Sequence, residues 1–106
     1  MRVLLDACVP RRLRNQLPEH EVRTAQQMGW GNLDDGPLLD AMGNRFDALV
    51  TVDKGLAKQQ NINARPFGLV VLRAKTNRLA DLLPIVPGLL RTLEKLRPGE
   101  VHELTG

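Results

Sequence analysis

Aromatic side chains are scarce in this sequence, which contains one Trp, two Phe and no Tyr among 106 residues. Proteins that hold single-stranded nucleic acid by stacking present several aromatic rings to the bases. The composition therefore argues against a stacking platform for bases. Apolar runs are also short, and none approaches the ~20 residues that a membrane-spanning helix needs, so we expect no membrane contact.

A single cysteine, Cys8, excludes an intrachain disulfide. This is typical of a reducing compartment, and we expect a cytoplasmic protein. Both common glycine-rich phosphate-binding patterns are missing as well. The length fits one domain over residues 1–106. The net charge of +3 gives a mild bias toward anionic partners.

Short apolar runs alternate with segments of helical spacing along the chain. Continuous runs such as VLL (3–5) and LVVL (69–72) are typical of strands that are buried on both faces. The alternation of strands and helices predicts βαβ units and a mostly parallel sheet, and hence an α/β fold. The predicted strands cover residues 3–5, 20–24, 48–52, 69–72 and 101–104.

Proline and aspartate positions predict where the first helices begin and end. Pro10 suits the first position of a helix that stops at Pro18. A second, short helix is predicted over residues 25–28. Asp34 or Asp35 is predicted to cap the helix that follows, since a negative charge suits the N-terminal end of a helix.

Apolar residues at helical spacing predict one more helical segment over residues 79–96, capped by Asn77. Pro84 and Pro87 each lack a backbone N–H, so a kink or a restart is expected there. The apolar stripe of this segment is predicted to pack on the sheet. The alternative is that the stripe forms the interface of a homodimer.

Two aspartates follow predicted strands: Asp6 follows the first strand and Asp53 the third. In open parallel sheets, ligands bind beyond the carboxyl ends of the strands, where the strand order reverses. If these two strands are neighbours, the carboxylates converge and need a cation, a shared proton or ordered water. A hard divalent metal such as Mg²⁺ would satisfy both and could activate water against a phosphodiester. The alternative for each aspartate alone is a turn residue.

A third carboxylate would come from the helix that begins near Asp34. Asp35 lies at its start and Asp40 about one turn later, and both are candidate catalytic residues. The alternative for each is an ordinary solvated helix position. Asp47 precedes the third strand, so we expect it at the opposite edge of the sheet and exclude it.

Basic residues follow the first, third and fourth predicted strands and would lie near the same edge of the sheet as the aspartates. Contacts to phosphate there would give affinity without reading the base sequence. Arg14, after the first strand, and Lys75, after the fourth, are two further basic residues in these positions. Ordinary surface charge is the alternative for each residue. The candidate RNA-binding residues are Arg11, Arg12, Lys54, Lys58, Arg73 and Arg78.

Taken in their order and spacing, seven short motifs carry one resemblance, which covers nearly the whole chain: LLD (4–6), PRRL (10–13), GW (29–30), LVTVDK (49–54), QQN (59–61), NRL (77–79) and LLP (82–84). Together they resemble a family of short bacterial PIN-like domains, related to the ribonuclease toxins of toxin–antitoxin pairs. The resemblance implies a Rossmann-like three-layer α/β/α sandwich with a mostly parallel sheet of about five strands. It also implies RNA cleavage that depends on Mg²⁺ or Mn²⁺, with Asp6 and Asp53 at the acidic strand-end positions.

The sequence departs from that family at Ala7, where such domains often carry a second acid, and at Pro37, where many carry Glu. Our first hypothesis is a metal-dependent PIN-like ribonuclease, a toxin that an antitoxin protein holds in check. The second, motivated by the missing acids, is a degenerate PIN-like module that binds RNA or a protein partner. The third is a receiver-like domain that is phosphorylated on Asp53.

Overall fold

The computed structural model describes all 106 residues, and its strands agree with the predicted ones to within one residue at each end. The strands are β1 (Arg2–Leu5), β2 (Glu21–Thr24), β3 (Ala48–Thr51), β4 (Gly68–Arg73) and β5 (Val101–Thr105). The α-helices are α1 (Asp35–Met42), α2 (Leu56–Gln59), α3 (Leu79–Leu82) and α4 (Val86–Lys95). Short 3₁₀ helices cover Arg11–Gln16, Ile62–Ala64 and Leu83–Ile85.

All five strands are parallel and lie in the order β2-β1-β3-β4-β5. The chain leaves β1 to form the edge strand β2, and then crosses back over β1 to form β3. Leu5 consequently lies opposite both Thr24 in β2 and Val50 in β3. The order reverses between β1 and β3, which creates a crevice beyond their carboxyl ends. The first and third strands are therefore neighbours.

Helices cover both faces of the sheet, because successive side chains of a strand point to opposite faces. In β1, Val3 and Leu5 belong to one hydrophobic core and Leu4 belongs to the other. The first core is completed by the 3₁₀ helix Arg11–Gln16, α3 and α4, and the second by α1 and α2. The chain is thus an α/β protein with a Rossmann-like three-layer α/β/α architecture, as predicted.

The two prolines of the last helical segment divide it into pieces. α3 is followed by the 3₁₀ helix Leu83–Ile85, which contains Pro84, and Pro87 lies in the first turn of α4. The predicted kink is therefore confirmed, as is the packing of the apolar stripe on the sheet, where Leu89 and Leu93 are fully buried. No helix in the chain combines the length and apolar character that a membrane span requires.

Two of the predicted helices take other forms. The segment after Pro10 is a 3₁₀ helix, and Pro10 lies at its N-cap position instead of its first turn. Residues 25–28 form a turn and no helix. Two bonds close this turn: the Thr24 backbone N–H donates to Gln27 Oε1 at 2.9 Å, and the Gln27 backbone N–H donates to Thr24 Oγ1 at 3.1 Å. Side-chain bonds of this kind compete with helical bonds in a segment this short.

Asn77 does not cap the last helical segment, because Arg78 lies at the N-cap of α3. The Asn77 side-chain amide instead donates to the carbonyl oxygen of Cys8 at 3.0 Å. Asp34 occupies the N-cap of α1, one of the two predicted positions, although its side chain makes no capping hydrogen bond.

Candidate active site

A hydrogen-bonded cluster joins the carboxyl ends of β1 and β3. Thr51, which is fully buried at the end of β3, donates its hydroxyl to Asp6 Oδ2 at 2.8 Å. The same hydroxyl oxygen accepts the backbone N–H of Asp53 at 3.0 Å. The Asp6 backbone N–H also donates to the carbonyl oxygen of Val50 at 2.9 Å. These bonds bring Asp6 next to the segment that carries Asp53.

Both strand-end carboxylates keep free acceptor capacity. Asp6 Oδ1 accepts the backbone N–H of Ala7 at 2.8 Å, and Asp53 Oδ1 accepts that of Gly55 at 2.8 Å in a tight turn. Each carboxylate oxygen has two lone pairs. Asp6 is half-buried and Asp53 is exposed, so a ligand arriving from solvent can reach oxygens whose orientation is already fixed.

Asp35, the first residue of α1, lies within electrostatic range of both strand-end aspartates. Partial burial raises the pKa of its carboxyl above the ordinary value, and the negative charges of Asp53 and Asp6 raise it further. Carboxyl groups from three separate segments of the chain, those of Asp6, Asp35 and Asp53, therefore lie around this crevice. Of the two predicted additional carboxylates, Asp35 is the one that the fold brings to this place.

We expect Asp53→Asn to lower the pKa of Asp35 toward its ordinary value, because one of the charges that raise it is removed. The folded chain binds the Asp35 proton more tightly than the unfolded chain does. The contribution of Asp35 to folding stability is therefore lost as pH rises from the pKa of an unfolded-chain Asp through the raised pKa of the folded chain. Asp53→Asn should make this loss of stability smaller. Carboxyl-carbon NMR titration measures the shift. Asp47→Asn, at the other edge, should leave the Asp35 pKa unchanged, and an equal shift in both variants would contradict the assignment.

Side chains from both sides hold the loop after β1 in place. The Gln26 amide donates to the carbonyl oxygen of Ala7 at 3.1 Å, and the Asn77 amide donates to that of Cys8 at 3.0 Å. The Cys8 sulfur lies 3.5 Å from the Thr51 hydroxyl, and burial raises the pKa of the thiol. The thiol therefore stays protonated at neutral pH and serves as a packing group beside the carboxylates.

Asp40 and Asp47 lie outside the cluster. Asp40 accepts a 2.6 Å hydrogen bond from Arg65, which precedes β4, so it faces the amino edge of the sheet and is not brought together with Asp6 and Asp53. Asp47 precedes β3 and pairs with Arg2, whose guanidinium lowers the pKa of that carboxyl. Both carboxylates are matched by an arginine at the edge opposite the crevice.

The predicted RNA-binding residues are exposed and follow β1, β3 and β4. Arg73 pairs with Glu103 of β5 at 3.2 Å, so its charge is already partly matched. The others take part in no ion pair: Arg11, Arg12, Lys54, Lys58 and Arg78. The carboxyl edge therefore carries an acidic centre with unmatched positive charge around it.

Two grooves with basic walls lie on either side of that centre. One, of about 590 Å³, separates the loop after β1 from the turn after β2 and is lined by Arg11 and Arg14. The other, of about 500 Å³, lies beyond β3, β4 and β5 and is lined by Lys54 and Lys75, with Asp81 as its acidic residue. A polyanion could follow both grooves past the carboxylates.

The residues at this edge fit a divalent cation in the type of donor. Asp6, Asp35 and Asp53 offer carboxylate oxygens, which Mg²⁺ and Mn²⁺ prefer. A cation would offset the charges of Asp53 and Asp6, which add to the effect of burial in raising the Asp35 pKa. No three His, Cys, Asp or Glu side chains are close enough together to hold a metal ion. The site therefore fits a cation held by one or two carboxylates and otherwise by water, and not one enclosed by three protein ligands.

Sequence reasoning missed the residues that orient the carboxylates. Thr51 is the one polar residue inside the apolar run of β3, and a hydroxyl in a fully buried strand was the signal for its role. The amides of Gln26 and Asn77 gave no comparable signal, because their partners lie 19 and 69 positions away.

Comparisons with family models, with curated proteins and with solved structures found no match to the chain.

Proposed function

We propose that the chain is a metal-dependent PIN-like ribonuclease of the kind that an antitoxin protein holds in check. One observation carries the proposal. In the crevice where the strand order reverses, the Thr51 hydroxyl donates to the Asp6 carboxylate and accepts the backbone N–H of Asp53. The charges of both aspartates also act on the carboxyl of Asp35. The unpaired basic residues around this centre would hold the phosphates of RNA. The motif resemblance to PIN-like domains supports the same reading.

The chain's own groups would act as follows. Thr51 and the Ala7 backbone N–H fix the Asp6 carboxylate before RNA arrives, so little reorganisation is needed during the reaction. Asp35, on which the charges of Asp53 and Asp6 act, would accept a hydrogen bond from water beside the two strand-end carboxylates. A divalent cation held by Asp6 and Asp53 would activate water and neutralise phosphate charge.

Incubation of the purified chain with end-labelled single-stranded RNA tests the proposal. We expect cleavage products when Mg²⁺ or Mn²⁺ is added, and none when EDTA removes the cation, because the two strand-end carboxylates alone repel the phosphate. Restoring the cation in excess of EDTA should restore cleavage. Cleavage of equal rate with and without EDTA would contradict the role of the cation, and intact RNA at every cation concentration would contradict the nuclease.

A second candidate is a PIN-like module that binds RNA or a protein partner without cutting it. The observation that favours it is the missing third ligand, since no three candidate side chains come together and Ala7 and Pro37 stand at family acid positions. Titration with Mn²⁺ separates the two candidates. RNA binding with no saturable Mn²⁺ uptake would favour the module, whereas uptake that Asp6→Asn removes would favour the nuclease.

A further inference from the structure

The larger of the two grooves lies beside Asp6, between the 3₁₀ helix Arg11–Gln16 and the turn that follows β2, and encloses about 590 Å³. Ala7, the neighbour of Asp6 in the chain, forms part of its wall. No acidic side chain lines it. Among the side chains that line it, the function proposed above uses only that of Arg11, and the role of the others is still to be explained.

Two arginines form the charged wall of this groove. Arg11 and Arg14 are exposed, and neither takes part in an ion pair. They are three positions apart in a 3₁₀ helix, where side chains at that spacing lie on one face. Two free guanidinium groups on one face match the several oxygens of a phosphate, which arginine contacts through paired N–H groups.

Three side-chain amides in the groove are anchored at one end. The amide nitrogens of Gln26 and Asn77 donate to backbone carbonyls of the loop after β1, at 3.1 and 3.0 Å. The amide oxygen of Gln27 accepts a backbone N–H at the end of β2 at 2.9 Å. Their opposite ends stay free, so Gln26 and Asn77 present acceptors and Gln27 presents a donor. Because these side chains are already ordered, a ligand would lose little of its binding free energy in fixing them.

We propose that this groove binds one nucleotide of a single-stranded RNA next to the acidic cluster, with Arg11 and Arg14 on the phosphate and the anchored amides on the base. Base edges offer both donors and acceptors, and only an unpaired base leaves its pairing edge free for such contacts. The choice of RNA rests on the proposed function, since the arginines alone would accept other anions.

Fluorescence anisotropy with a fluorescein-labelled single-stranded RNA tests the inference, with EDTA present so that no cleavage contributes. Arg14→Gln is expected to weaken binding about tenfold and to lower the slope of log K against log salt by about 0.7, the value for one lost phosphate contact on a single strand. Gln27→Glu keeps the acceptor for the β2 N–H but replaces the free donor with an anionic oxygen, and should weaken binding about tenfold as well.

Matched variants outside the groove control for charge alone. Arg91→Gln in α4 removes the same charge as Arg14→Gln, and Asn44→Asp in the exposed turn after α1 adds the same charge as Gln27→Glu; each should change affinity less than about twofold. Equal effects inside and outside the groove, or no RNA binding by the unaltered chain, would overturn the inference. Weakening by Arg14→Gln alone would overturn the nucleotide assignment and leave a site for phosphate. Because the assay excludes the cation, failure of cleavage would not decide its outcome.

Discussion

Asp6→Asn is expected to lower the rate of RNA cleavage about a hundredfold or more, the scale of losing a group that takes part in the reaction. Asparagine has nearly the shape of aspartate, and its amide oxygen can still accept the Thr51 hydroxyl, whose bond to Asp6 measures 2.8 Å. The substitution removes the negative charge that would hold the cation, together with the second acceptor oxygen, which takes the backbone N–H of Ala7 in the unaltered chain. Asp53→Asn should have an effect of the same order, because Asp53 would contribute the other charge. Initial rates on end-labelled RNA at saturating Mn²⁺ measure both.

The control for this experiment is Asp47→Asn, which makes the same chemical change at the opposite edge of the sheet. Asp47 pairs with Arg2 and faces away from the crevice, so cleavage should stay within about twofold of the unaltered chain. Thermal unfolding of each variant shows whether the fold is retained. Cleavage that survives both Asp6→Asn and Asp53→Asn at full rate would remove the nuclease proposal.

Phe67→Ala is expected to destabilise the fold by about 3–5 kcal/mol, the range for truncating a buried aromatic ring. Phe67 is fully buried in the second core, where it lies among side chains such as Leu4 and Leu49 of the central strands. Domains of this size are stable by only about 5–15 kcal/mol, so the loss is a large share of the total. Urea unfolding followed by circular dichroism should show a clearly lower midpoint.

Leu33→Ala provides the contrast for that substitution. Leu33 is 41% exposed in the loop before α1, so its truncation creates no cavity and should cost no more than about 0.5 kcal/mol. If Phe67→Ala unfolded at the same urea concentration as Leu33→Ala, the second core would not be packed as described.

The strands could be predicted from the sequence because a strand buried on both faces is apolar at every position. β4 shows this most clearly, since Leu69 and Val71 face one core while Val70 and Leu72 face the other. Once the strands alternate with helical segments, a parallel sheet follows. The sequence alone leaves open whether β1 and β3 are neighbours, and the observed strand order shows that they are.

Two departures from prediction come from side-chain hydrogen bonds that form in place of the expected helical ones. Residues 25–28 were predicted as a helix, but Gln27 bonds back to Thr24 and closes a turn. Asn77 was predicted as a helix cap, yet its amide bonds to the carbonyl of Cys8, 69 positions earlier. Local patterns report which bonds are available to a residue, and the tertiary fold decides which of them form.

For the site, the sequence predicted which acids end the strands but not what holds them. Asp6 and Asp53 could be identified because each directly follows an apolar run. Asp35 and Asp40 were equivalent in sequence, and only the path of α1 separates them, since Asp40 lies beyond the first turn and meets Arg65 instead of the crevice. The sequence predicts Thr51 only as part of a strand, although its hydroxyl links the two strand ends.

Two long-range side-chain hydrogen bonds at the loop after β1 limit how the chain can be divided. The bond from Asn77 spans 69 positions and the bond from Thr51 to Asp6 spans 45. A fragment that stopped after α2 would keep both strand-end acids and lose the donor that fixes the Cys8 carbonyl. Any truncated or split version of the chain must therefore supply the segment beyond β4 together with the N-terminal strand, or the loop that follows Asp6 will lose one of the two side-chain amides that hold it.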